Sequence, residues 1–290
     1  MLLNNFDICK DESLKSIAAA NSELGLKFLE NEKYDDFGNK IGTCYIPHNN
    51  SLNILEGDQD TDTVFHEMFH GVFEKYDVKN SGLKETLKEE FHKNIKAIKQ
   101  YFSPEEYCKR NNIDYNSIKN EYDKAGKEFS EAEDIVNKKY NETLDQIAAG
   151  GPKTYSVYEE AHKQLRANQE YMQLEENFKK ARQNFNIHTS NMRKIETRAK
   201  NELDFMYPNF ADMCSGYTLN KFGFGHSQNY WREDKTNHVN EFFAEMSAIK
   251  ATGSNELEFI KKWLPKSVAK YEEVIKNISE NKGKALDLDL

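Results

Sequence analysis

The sequence predicts a mainly helical α+β fold: a domain with a small sheet, discontinuous in sequence and interrupted by a long antiparallel coiled-coil hairpin. Three observations carry that prediction. Two heptad-spaced apolar runs flank a glycine-proline break in mid-chain, two strand-like runs with turn residues between them lie before residue 56, and aromatic-rich helical patterns lie on both sides of the heptad region.

In chain order, Leu14, Ile17 and Ala18, and then Leu24, Leu26, Phe28 and Leu29, give a short helical pattern. Thr43-Cys44-Tyr45-Ile46 and Leu52-Asn53-Ile54-Leu55 read as the arms of a hairpin, because Pro47-His48-Asn49-Asn50-Ser51 between them is turn chemistry. From Asp60 to Tyr76 the pattern is helical, with Val64, Phe65, Met68, Phe69, Val72 and Phe73 on a broad apolar stripe, and the Asp and Thr residues at 60 to 63 suit its N-cap.

Residues 80–204 form the predicted insertion. Tyr115, Ile118, Tyr122, Ala125, Phe129, Ala132 and Val136 alternate spacings of three and four, the seam of a two-helix coiled coil. Phe178, Ala181, Phe185, His188, Met192, Ile195 and Ala199 repeat the rhythm, and Ala149-Gly150-Gly151-Pro152-Lys153-Thr154 stops one helix and restarts the next. At 1.5 Å per residue such a hairpin is roughly 50 Å long. Its expected role is a spacer, a homodimer contact or a partner contact, with a dedicated grip on substrate as the alternative.

Residues 205–290 return to mixed texture. Asn240 to Lys250 is helical and apolar apart from its acids, Ser254 or Asn255 caps a helix running to Trp263, and Pro265 opens another carrying Val268, Tyr271, Val274 and Ile275. Ala285 to Leu290 reads as a loose tail. The predicted domains are therefore 1–79 with 205–290, and the inserted hairpin 80–204.

Composition removes several functions. Lys and Arg total 40 against 49 Asp and Glu, a net charge of −9, which opposes a general grip on nucleic acid or anionic lipid. Cys9, Cys44, Cys108 and Cys214 stand far apart, without the spacing of a disulfide framework or a cysteine-based zinc knot. The N-terminal residues lack an export-signal pattern and no apolar run is long enough to span a membrane, so the expectation is a cytoplasmic protein or one exported by a non-classical or phage-linked route.

The string that carries chemistry is His66-Glu67-Met68-Phe69-His70. On a helix, residues four apart face one way, so both imidazoles reach one ion while Glu67 points toward a water on it. With 8 His in 290 residues, about 0.02 such HExxH matches are expected by chance. A catalytic zinc site needs three protein ligands and an open fourth position. The best third ligand lies in Asn240-Glu241-Phe242-Phe243-Ala244-Glu245, where two carboxylates share a face of an apolar helix. Buried carboxylates demand a partner, and Glu241 as ligand with Glu245 as acceptor for a histidine N–H supplies one.

HEMFH followed by NEFFAE resembles the gluzincin zinc metallopeptidases, with HExxH and a distant NExxxE, and EFFAE is similar to the lethal factor type of peptidase domain. The segment from Gly225 to Trp231, with Glu241 to Met246 and Trp263 to Ser267, also resembles the zincin-like C-terminal domains of Mu F-type phage head proteins and bacterial toxins. The resemblance covers about residues 40–78 and 205–280. It implies a zincin-like domain binding one Zn2+ per chain, with His66, His70 and Glu241 as ligands, Glu67 as general base and Glu245 in support. It also implies a transition-state stabiliser shortly before the third ligand, for which Tyr230 and His226 are rivals. His70 and Glu241 are 171 positions apart, and an antiparallel insertion returns the chain near its point of departure.

The expected activity is zinc-dependent endoproteolysis of a protein or peptide substrate, as a toxin, effector or phage-associated peptidase. Leu52 to Leu55 would pair with an extended substrate as an added strand. Two alternatives remain: a catalytically inactive zincin-like phage structural or protein-interaction module, and a helical scaffold whose HExxH is accidental.

Overall fold

A computed structural model describes residues 7–21, 25–29, 33–34, 40–41, 43–46, 50–55 and 60–280. The 47–49 turn and the 285–290 tail lie outside the described residues. The helices are α1 (Glu12–Ala20), α2 (Thr61–Lys75), α3 (Leu83–Tyr101), α4 (Pro104–Arg110), α5 (Tyr115–Ala148), α6 (Tyr155–Ala167), α7 (Gln169–Met206), α8 (Pro208–Thr218), α9 (Gln228–Glu233), α10 (Asn237–Thr252), α11 (Glu256–Trp263) and α12 (Pro265–Glu280). Among the described residues five short strands precede α2: β1 (Gly25–Leu29), β2 (Lys33–Tyr34), β3 (Lys40–Ile41), β4 (Cys44–Ile46) and β5 (Ser51–Leu55). The fold is mainly helical α+β with a small sheet, as the sequence predicts.

β4 and β5 pair antiparallel with Tyr45 opposite Leu52, the expected hairpin. The helical pattern is overturned at residues 25–29, Leu24 lying outside the described residues: β1 pairs parallel with β5, Leu26 opposite Leu52 and Phe28 opposite Ile54. Leu24, Leu26 and Phe28 alternate with Gly25 and Lys27, a period of two, and pairing with β5 decides in favour of a strand. The three-stranded order is β1-β5-β4, so β5 is flanked on both sides. This corrects the expectation that Leu52 to Leu55 pairs with a substrate: among the described residues the edge on that side is β4.

The chain divides into two compact units, 1–101 with 201–290, and 102–200. The sequence placed the boundary at 80. Residues 83–101 belong with the first unit because α3 buries Leu87, Phe91 and Ile98, and because Glu90 caps α12. Its carboxylate accepts from the Lys266 N–H at 2.9 Å, the Ser267 N–H at 2.6 Å and the Ser267 hydroxyl at 2.7 Å, which satisfies amides left free at a helix start.

The core of the first unit is α2 packed on α10. Phe69 and Phe73 each meet the Phe243 ring with centroids 5.9 Å apart, and Phe243 meets Tyr271 of α12 at 5.4 Å. Leu52, Ile54 and Val64 join β5 to α2. Each fully buried phenylalanine here contributes about 1.5–3 kcal/mol. That packing, far apart in sequence, is what sets α2 beside α10.

In the second unit α5 has 34 residues, about 51 Å at 1.5 Å per residue. Tyr122 meets Phe185, and Phe129 meets both Phe178 and Phe185, an antiparallel register between α5 and α7 on the expected seam. The α5 helix stops where expected, at Ala149 and Gly150 in left-handed conformation. The return arm is broken at Asn168, whose side chain accepts the Tyr171 N–H at 3.0 Å and so starts α7 afresh. His162 and His188 make local contacts, to the Tyr140 hydroxyl at 3.2 Å and to Glu121 at 3.6 Å. Among the described residues no helix is long and apolar enough to cross a membrane.

Candidate metal centre

Asp60 opens α2 by accepting the Thr63 N–H at 3.0 Å, which puts His66 and His70 one turn apart in mid-helix. Their Nε2 atoms face each other at 3.1 Å. From α10, Glu241 brings Oε2 to 3.3 Å from His66 Nε2 and 3.6 Å from His70 Nε2. A tetrahedral ion with bonds of 2.0–2.1 Å separates its ligands by about 3.3–3.4 Å, so these three donors stand at the spacing a small divalent ion requires.

Glu241 is 1% exposed, and its Oε2 has no hydrogen-bond donor among the described residues. A buried carboxylate oxygen without a donor is expensive, and a cation between it and the two imidazoles removes the penalty. Burial alone would raise the Glu241 carboxyl, but the His70 and His66 imidazoles outweigh burial and hold it well below the usual carboxylate range. For His66, burial pulls downward, yet Glu245 and Glu241 overcome it and leave the imidazole well above its ordinary value. The residues therefore fit a metal ion, and among the described residues His66, His70 and Glu241 form one of two groups able to hold one.

The surrounding contacts orient these donors. Glu245 Oε2 lies 3.6 Å from His66 Nδ1, the ring atom facing away from the ligand cluster. Asn240 Oδ1 lies 2.9 Å from His70 Nδ1. The backbone N–H of Tyr45, on β4, donates to Glu67 Oε2 at 2.9 Å and fixes the carboxylate against the sheet.

Both rivals for the stabilising role are present. The Tyr230 hydroxyl donates a short hydrogen bond to Glu241 Oε1, and His226 Nε2 lies 3.7 Å from the same oxygen, with the two rings stacked at 4.3 Å. Burial, then the Glu241 charge, pushes the Tyr230 phenol far up, so it stays protonated and a donor. Asn237 Nδ2 donates to the Tyr230 carbonyl at 2.7 Å and ties α9 to α10.

His226 is held from behind by Asp212 of α8, whose Oδ1 accepts the His226 N–H at 3.1 Å and faces its Nδ1 at 3.4 Å. Asp212, His226 and Glu241 are the second group able to hold an ion. The His226 ring turns Nδ1 to Asp212 and Nε2 to Glu241, opposite edges, which suits a bridge between the carboxylates better than chelation. The loop carrying His226 passes so close to α8 that a Cβ on Gly225 would fall 1.4 Å from Asp212 Oδ1, while Gly223 holds φ +88° with the Ala211 carbonyl 2.1 Å from where a Cβ would stand. These glycines serve a close backbone crossing and not a phosphate loop.

The cleft over these groups has a volume of about 420 Å3 and is walled by Tyr45 of β4, α2 and the stretch from His226 to Glu241. Three contributors escaped the sequence reading. Asp212 carried a signal, an ionisable residue inside the apolar run Phe210 to Cys214. Asn240 had only its place beside Glu241, and the Tyr45 amide had none, being backbone. Cys214 is buried and its thiol is pushed well up by burial, consistent with an inert thiol. Compared with protein-family models, with curated proteins and with solved structures, the chain has no match in any of the three.

Proposed function

We propose that the chain is a zinc-dependent endopeptidase of the gluzincin type, acting on a polypeptide. The observation that carries this reading is the convergence of His66 Nε2, His70 Nε2 and Glu241 Oε2 within 3.1–3.6 Å, with Glu67 in the adjoining helical position and an open cleft above. Two imidazoles and a carboxylate are the donor set of catalytic zinc with an exchangeable fourth position. Zinc held there supplies a Lewis acid that makes water nucleophilic near neutral pH and polarises the scissile carbonyl.

The chain's own residues supply the rest. Glu67, oriented through Oε2 by Tyr45, takes the proton of the attacking water on Oε1 and returns it to the departing amine. Tyr230, a neutral hydroxyl, and His226, an imidazole backed by Asp212, both face Glu241 Oε1 at the edge of the cleft, and either one, on turning from that oxygen, would donate to the developing oxyanion. Among the described residues β4 is an edge of the sheet that walls the cleft, and although its Tyr45 N–H is given to Glu67, an extended chain lying along that edge favours polypeptides over compact substrates.

A second reading, a zincin-like module that holds metal without turnover, draws on the engagement of Glu67 Oε2 by Tyr45. Elemental analysis and a peptide-library cleavage assay separate the two. The peptidase reading expects one zinc per chain, cleavage abolished by chelation, and Glu67→Gln that keeps zinc while losing at least about 10³-fold in rate. Zinc without cleavage moves the conclusion to the module, and absence of stoichiometric zinc removes both.

A further inference from the structure

A second cavity of about 450 Å3 lies in the first unit, and the 230–238 stretch lines it as well as the cleft. Along that stretch the two cavities are served in turn. Tyr230, Asp234, Thr236 and Asn237 line the cleft, while Trp231, Lys235 and His238 line the second cavity. Lys84 and Lys88, one turn apart on α3, and Tyr217 at the end of α8 complete its walls.

The lining is opposite in sign to the molecule. In a chain of net charge −9 it gathers three lysines, and among the described residues no carboxylate lies within ion-pair distance of Lys84, Lys88 or Lys235. The nearby Asp234 accepts the Thr236 N–H at 2.6 Å and its hydroxyl at 2.7 Å, both on Oδ1, and its charge reaches Lys84 and His238 without forming an ion pair, so it offsets only part of the three lysines. Burial, then the charges of Lys84 and Lys88, pushes the His238 imidazole down to about 4, so at neutral pH it is an uncharged ring with one N–H and one lone pair. Like charges gathered in a concave, partly apolar site repel one another and focus a positive potential, which a bound anion relieves.

The apolar part of the lining is aromatic. Trp231 is 6% exposed, its indole N–H donates to Asn220 Oδ1 at 3.0 Å, and Gly216 leaves room for its six-membered ring, since a Cβ there would lie 3.0 Å from it. Tyr217 is stacked on Phe91 at 4.7 Å, so its ring is held rigidly. Volume, charge and aromatic walls together match a small ligand with a flat ring and a compact, multiply charged anion.

We propose that this cavity binds a phosphate monoester of a flat aromatic or heteroaromatic group, with Lys84, Lys88 and Lys235 taking the phosphate and the ring lying against Tyr217 and the small exposed margin of Trp231. The site is separate from the metal centre and does not depend on the peptidase reading. It is placed to influence that centre, because Trp231 contacts Tyr230 at 5.0 Å and His226 at 5.4 Å between ring centroids. The ring chemistry has two sources, a free nucleotide or a phosphotyrosine side chain.

Calorimetric titration of the full chain with adenosine monophosphate, O-phosphotyrosine and inorganic phosphate tests it. Saturable binding of at least one ester is expected, about tenfold or more tighter than inorganic phosphate, and the tighter ester identifies the source. Lys84→Gln with Lys88→Gln is expected to weaken that ester at least about tenfold, while Glu67→Gln, which is not among the cavity's walls, leaves it unchanged. Absence of saturable binding by either ester, binding unaffected by the lysine pair, loss of binding in Glu67→Gln, or inorganic phosphate binding as tightly as the esters would overturn the proposal.

Discussion

Asn240 presents Oδ1 to His70 Nδ1 at 2.9 Å, so the residue directly before Glu241 fixes the tautomer of a histidine on another helix. With Nδ1 protonated toward Asn240, the Nε2 lone pair is free to face the ligand cluster. Asn240→Ala is therefore expected to weaken zinc binding about 10–100-fold with the fold intact, and Asn240→Asp to restore it, because a carboxylate accepts the same proton. Competition with a chromophoric chelator reads the affinities. Unchanged affinity in Asn240→Ala would remove Asn240 from the metal centre.

Metal removal should lower the thermal stability of the wild type. A ligand bound only by the folded state adds RT ln(1 + [L]/Kd), about 2.7 kcal/mol at a hundredfold excess over Kd. Glu241→Gln removes the anionic donor that faces His66 at 3.3 Å and His70 at 3.6 Å, so its Tm is expected to be insensitive to zinc and to chelator alike. A zinc-dependent Tm of wild-type size in that variant would place the metal elsewhere.

Gly225 is predicted to tolerate no side chain. The Cβ of Gly225→Ala would fall 1.4 Å from Asp212 Oδ1, so the loop must move and His226 must leave Asp212. The expected cost is about 1–3 kcal/mol in chemical denaturation, with zinc content retained because His66, His70 and Glu241 lie on other elements. Wild-type stability in Gly225→Ala would show that the loop has room that this crossing does not allow.

Glu256 supplies a pH dependence whose sign is fixed. It is 6% exposed and accepts the Phe210 N–H at 3.1 Å and Asn209 Nδ2 at 2.9 Å, but burial dominates and pushes its carboxyl up to about 7. The folded state therefore holds this proton more tightly than the unfolded chain, whose value is near 4.5. Its contribution is fully present below about pH 4.5 and is lost as pH rises through about 7, a fall of at most about 3 kcal/mol. Urea denaturation in chelator at pH 5 and pH 8 should show Glu256→Gln losing less stability across that interval than the wild type. Equal losses would acquit Glu256.

The two ends of the candidate metal centre differ in how visible they are in the sequence. His66, Glu67 and His70 were legible because helical spacing is local: four residues on one helix bring two side chains to one face whatever the rest of the chain does. Glu241 and Glu245 were legible as an anomaly, carboxylates on an otherwise apolar helix face, and both are buried beside His66. The α5–α7 seam was legible for the same local reason, while its break at Asn168 was not, because one side-chain cap against the Tyr171 amide leaves the heptad pattern undisturbed.

β1 is not legible in the sequence because residues 24–29 contain both helical and alternating spacings, and only the presence of β5 as a hydrogen-bonding neighbour decides between them. The boundary at 80 was displaced to 101 for a related reason: Glu90 has no helical partner to explain it until α12 arrives with its free amides. Sequence alone determined the helical chemistry, with the HExxH face, the acidic pair, the coiled-coil seam and the acidic net charge all set by local order and composition. Tertiary structure decided which carboxylate oxygen meets both imidazoles, that Asp212 stands behind His226, and that lysines from α3 and the 230–238 stretch share one cavity. Each of those depends on the packing of Phe69 and Phe73 against Phe243, or on loops crossing helices, and such non-local contacts leave no period in the chain.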